Sequence, residues 1–200
     1  VIGGTNSYTI ATIVDADEFT TTAVLASGDA DDTDVIYFKA KPQHVITFNT
    51  ASAVNAGFFQ ILIPAASSNP NDTIPDITGF DFNTAVTVAG TNATGYTFLT
   101  GVATVSGASG CTSPANYHCF EVHYTGVGGI GTAITLKLGE TSGANTMVVP
   151  APASGRVADT ADAYTFKVKN FTNQANPNSD TATDEVAGKV AVIEPVRVTA

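Results

Sequence analysis

Cys111, His118, Cys119 and His123 fall within the segment CTSPANYHCFEVHYTGVGGIG, which runs from Cys111 to Gly131. Thiolate and imidazole are the side chains that hold zinc, so a metal centre is the first chemistry to test. A Cys-x7-Cys spacing is not a zinc knuckle, and the chain holds only these two cysteines. Strand alternation also sends His118 and Cys119 to opposite faces and leaves Cys119 and His123 as the pair able to share a ligand. The same segment ends in Gly126-x-Gly128-x-x-Gly131, the spacing of a dinucleotide-binding turn. That turn needs a strand before it and a helix after it, because the helix N-terminus receives the pyrophosphate. The following residues, TAITLKL, alternate as a strand, and no acidic residue stands at the ribose position. The motif therefore reads as a glycine turn between two strands.

The acidic runs raise calcium. Asp29, Asp31, Asp32 and Asp34 crowd together, but an EF-hand loop requires Gly at its sixth position and an acidic residue at its twelfth, where Ala40 stands. The segment Asn69-Pro-Asn71-Asp72-Thr-Ile-Pro75-Asp76 resembles the DxDxDGIPD pattern of thrombospondin type 3 and related extracellular calcium repeats. It departs from them at Asn69, Asn71 and Thr73, and it occurs once. The resemblance implies calcium at Asn71, Asp72 and Asp76; the residues alone read as an Asx/Pro turn. We expect no cofactor, with structural calcium there as the alternative. Neither Gly-x-Ser-x-Gly nor HExxH is present, and no catalytic residue is assigned: the expectation is a protein that is not an enzyme.

Composition bounds the class. Charged residues are 13% of 200 positions and 30 positions are Thr, so the surface is solubilised by hydroxyls and amides rather than by Lys and Glu. Thr favours strands and serves on their solvent faces. A net charge of −10 disfavours nucleic acid and anionic membranes as partners. The longest apolar run, FFQILIPAA, is interrupted by Gln60 and Pro64 and falls short of a membrane span. The chain opens at Val1 without an initiator Met. These features together predict a secreted, extracellular or cell-surface protein, read either as a mature chain whose leader has been removed or as an excised fragment. In that setting Cys111 and Cys119 are expected to pair as a disulfide closing a short loop. Three sequons, at Asn71, Asn92 and Asn170, are candidate glycosylation sites.

Period-two segments supply the scaffold. They run over residues 8–14, 19–25, 35–40, 44–48, 58–63, 85–89, 96–105, 117–124, 132–138, 163–169 and 186–198. Turn clusters such as SGDADDTD, SSNPNDTIPD and GVGGIG separate them. Residues 44–48 and 58–63 flank NTASAVNAG and are expected to pair as a hairpin. Alternation assigns Ile134, Leu136 and Leu138 to the core, with Tyr164, Phe166 and Val168, and turns Lys137, Lys167 and Lys169 outward. The fold class expected is all-β, an antiparallel Ig-like β-sandwich. Residues 1–28 would form an N-terminal strand or arm and 29–200 the sandwich body.

The runs HVITFNTASAVNAGFFQILIPA, IPDITGFDFNTAVTV and GKVAVIEPVRVTA resemble the Ig-like β-sandwich modules of bacterial secreted surface and filament proteins. The resemblance implies a structural or adhesive role and carries over no functional residue. We expect a pilus-like homopolymer in which Tyr8, Ile10, Thr12 and Val14 form one face of a strand donated to a neighbouring copy. The C-terminal strand from Lys189 to Thr199 is the alternative donor, made less suitable by Glu194 and Pro195. The competing function is a secreted adhesive module that binds surface glycans as a monomer. The chain has no Trp, so Tyr96, Tyr117, Tyr124 and Phe171 would have to provide its stacking platforms.

Overall fold

A computed structural model describes residues 8–15, 18–27, 42–65, 72, 75–82, 86–99, 117–141, 145–151 and 161–193. The segments expected at 35–40 and beyond 193, and most of that at 96–105, lie outside these residues. The described residues contain twelve strands and no helix. In chain order they are β1 (Ile10–Ile13), β2 (Phe19–Thr21), β3 (His44–Asn49), β4 (Asn55–Pro64), β5 (Asp81–Phe82) and β6 (Val88–Thr91). The second half holds β7 (Thr97–Phe98), β8 (Tyr117–Val127), β9 (Ala133–Leu138), β10 (Met147–Val148), β11 (Ala161–Thr172) and β12 (Asp184–Ile193).

Every ladder between these strands is antiparallel. A five-stranded sheet runs in the order β12-β11-β4-β8-β7 and a three-stranded sheet in the order β3-β9-β6. Two short pairs, β1-β2 and β10-β5, complete the set. One apolar cluster draws from both larger sheets. Phe59, Ile61, Ile63, Phe120, Val122, Tyr124, Phe166 and Val168 come from the five strands, and Val88, Ile134, Leu136 and Leu138 from the three. Alternation fixes these faces as expected. Lys167 and Lys169 turn away from the cluster and approach Glu185 of β12 at 3.5 and 3.7 Å, contacts of small worth on a wet surface.

β4 breaks the alternation because both its faces are covered. Residues Gly57 to Ile63 are all buried. On one side Phe59, Ile61 and Ile63 enter the main cluster; on the other Leu62 meets Cys119 and Tyr117, and Phe58 stacks on Phe171 at 5.3 Å. A strand covered twice reads as a continuous apolar run, as FFQILI does.

The expected hairpin between residues 44–48 and 58–63 does not form. β3 pairs with β9, whereas β4 lies between β8 and β11 in the other sheet. The connection is pinned to the glycine turn instead of folding back on itself. Thr50 Oγ1 donates to the Gly129 carbonyl at 2.6 Å, Gly131 N–H donates to the Thr50 carbonyl at 2.7 Å, and Gly128 N–H donates to the Val54 carbonyl at 3.1 Å. Two sheet-changing connections, β3 to β4 and β8 to β9, thus run side by side and hold each other. Glycine is required in the second: Gly126 has φ of 110°, and a Cβ on Gly128 would sit 2.6 Å from the Tyr96 hydroxyl.

Candidate functional site

The N-terminal hairpin turns several apolar side chains to solvent. Its turn is closed by Val14 and Asp15 N–H groups donating to the Glu18 carbonyl, and its open end by Thr22 N–H to the Thr9 carbonyl at 2.9 Å. All four residues of β1 are exposed, with Ile13 at 71%; Val14 just beyond is at 54%. Among the described strands the only extensive pairing of β1 and β2 is with each other. A register shift between Ile10 and Thr12 places an extra residue in β1. The single face expected for Tyr8, Ile10, Thr12 and Val14 is therefore interrupted, since a bulge re-aims the side chains beyond it. At the other end of the chain, residues 189–193 pair with 161–165 of β11 in the same molecule, which commits the start of the alternative donor.

Three of the four rings proposed as sugar platforms are inside. Tyr96, Tyr124 and Phe171 are 1–2% exposed, and Tyr117 is half-buried against Leu62 and Cys119. Tyr124 donates its hydroxyl to Asn170 Oδ1 at 2.7 Å, and burial pushes its pKa up. The same contact corrects one glycosylation candidate. Asn170 is buried with its Nδ2 enclosed, so a glycan has no access to it in the fold. Asn92 is exposed, its Oδ1 accepting the Phe98 N–H at 2.8 Å, while Asn71 lies outside the described residues.

The cysteine and histidine side chains do not converge. His118 points into the core, its Nε2 2.8 Å from the Phe80 carbonyl oxygen, which places the proton on Nε2. Burial lowers its pKa, so the ring is neutral. Cys119 lies on the opposite face and is not a free thiol; Cys111 lies outside the described residues, and its pairing remains an expectation. His123 sits farther along β8, against the Phe58 ring and 3.0 Å from Glu121. Among the described residues no three His, Cys, Asp or Glu side chains form a ready metal-ligand set.

A cluster of carboxyl groups that periodicity did not reveal lies at β5. Asp81 has no exposed surface, although it is flanked by Phe80 and Phe82 in a strand of the core. Its Oδ1 accepts the Phe82 N–H at 2.5 Å, and its Oδ2 is buried without a hydrogen-bond donor. The Asp72 carboxyl lies within hydrogen-bonding reach of it, and Asp76 adds negative charge. Asp76 Oδ2 is likewise buried without a donor. Burial first, then these two carboxyls, push the Asp81 pKa up to about 7 against the Phe82 N–H, which favours the anion. Asp76 is raised by burial and by Asp72. Of the sequence candidates for calcium, Asp72 and Asp76 are brought together and Asn71 lies outside the described residues. Asp81 was missed. Its signal, an acid between two Phe residues in a strand, is legible only as a departure from apolar patterning.

No protein-family model, curated protein or solved structure matches this chain.

Proposed function

We propose that this protein is a non-catalytic extracellular structural subunit, with an Ig-like sandwich body, that assembles into a surface filament or coat by donating its N-terminal strand to the next copy. The observation that carries this reading is the β1–β2 hairpin, which forms a two-stranded sheet of its own and exposes Ile10, Ile13 and Val14. An isolated two-stranded hairpin is marginally stable in water, so this one gains from a partner. Burying a side chain such as Ile13 or Val14 against a neighbour contributes roughly 1.5–3 kcal/mol each.

An edge strand on the body supports the reading further. β3 is uncharged, Val45 on it is 57% exposed, and its side away from β9 pairs with no described strand. Such an edge is a template for strand addition. An arm on one end and an acceptor elsewhere make a heterologous contact, which propagates into a filament when the rotation does not close. Burial of Tyr96, Tyr124 and Phe171 weighs against the glycan-binding monomer.

The test is deletion of residues 1–14. A folded monomer that no longer polymerises, read by circular dichroism and negative-stain microscopy, is the expected result. Fibres of normal length from the truncated chain would refute donation by this arm.

A further inference from the structure

We propose that Asp72 and Asp81 form a calcium site, with Asp76 supplying further negative charge and backbone carbonyls and water completing the shell. The inference begins with an oxygen that has no donor. Asp81 is fully buried, and only its Oδ1 is satisfied, by the Phe82 N–H. Its Oδ2 is enclosed with no hydrogen-bond donor, and so is Asp76 Oδ2. Buried carboxylate oxygens without donors are costly, and two carboxylates within hydrogen-bonding reach repel each other unless a positive species lies between them. Among the described residues no cationic side chain acts on Asp81, and the charged groups that do are Asp72 and Asp76. A proton or a metal ion between the two carboxyls can supply that charge.

The donor set selects the metal. Every identified donor is an oxygen, and among the described residues no histidine acts on Asp81, so a soft or borderline ion has no preferred ligand among them. Among the described residues no three carboxylates stand as a ready ligand set, so the proposed shell takes two side chains and draws its other oxygens from carbonyls and water. Calcium accepts six to eight oxygens in irregular geometry with carbonyls among them, whereas magnesium demands a near-ideal octahedron. Asp72 sits at an exposed position, which gives the ion a route to the buried partner. This site is independent of the strand-donation reading and stands or falls separately.

The full chain, stripped with chelator and dialysed at pH 8, is titrated with calcium chloride by calorimetry and followed by thermal unfolding. One saturable site is expected, with a Tm rise of about 2–5 °C at millimolar calcium. Asp81→Asn should abolish the rise, and Asp72→Asn should weaken binding by about tenfold or more. Because Asp72 is exposed, its variant keeps the test informative if Asp81→Asn fails to fold. Absence of saturable binding at millimolar calcium overturns the proposal and leaves a shared proton as the neutralising species. Binding unchanged in Asp72→Asn overturns it as well.

Discussion

Replacing Asp81 by Asn should stabilise the calcium-free protein at alkaline pH, opposite to the usual effect of altering a buried polar residue. The substitution keeps an oxygen to accept the Phe82 N–H, removes the charge, and turns an amide donor toward the Asp72 carboxyl. In the native protein the Asp81 pKa stands at about 7, against an ordinary value of 3.8. Between those values the folded chain retains a proton that the unfolded chain has lost. The Asp81 contribution to native stability therefore falls as pH rises from about 4 to about 7 and levels off above. At roughly 1.36 kcal/mol per pH unit, the gap amounts to at most ~4 kcal/mol. Asn carries no such cost, so the variant should lack most of this slope. At pH 8.5 it should exceed the native protein by up to ~4 kcal/mol, or about 2–4 °C of Tm per kcal/mol. Urea unfolding in chelator at pH 5, 7 and 8.5 measures both chains. The reasoning is refuted if the variant is the less stable at pH 8.5, or if both chains share the same slope.

Two further outcomes follow from other contacts. Native protein should show no alkylatable thiol until it is reduced, and Cys119→Ser should cost about 2–3 kcal/mol, the loop-closure contribution of a short disulfide; two reactive thiols in mass-labelled native protein would exclude the pairing of Cys111 with Cys119. Tyr124→Phe should cost about 1–3 kcal/mol in chemical denaturation, because it leaves Asn170 Oδ1 buried without its donor; a change below about 0.5 kcal/mol would show that the contact has little worth.

Much of the strand layout was legible because a strand's two faces are encoded locally, one residue after the next. Ile134, Leu136 and Leu138, and Tyr164, Phe166 and Val168, could be assigned to the core before any partner was known. The glycine turn was legible for the same reason, since TAITLKL alternates as the strand that follows it. Long-range pairing was not. Period two states which side of β3 and β4 is apolar, but not that one belongs to the three-stranded sheet and the other to the five. The bonds from Thr50 and Val54 to the glycine turn decide that. Burial of polar groups was equally hidden. Asn170 reads as a sequon and Asp81 as one acid among many, until β4 and β8 enclose the first and the segment carrying Asp72 and Asp76 meets the second. Chain neighbours determine the direction of a side chain; only the distant segments packed over it determine whether water reaches it, and therefore what its charge costs and what it can bind.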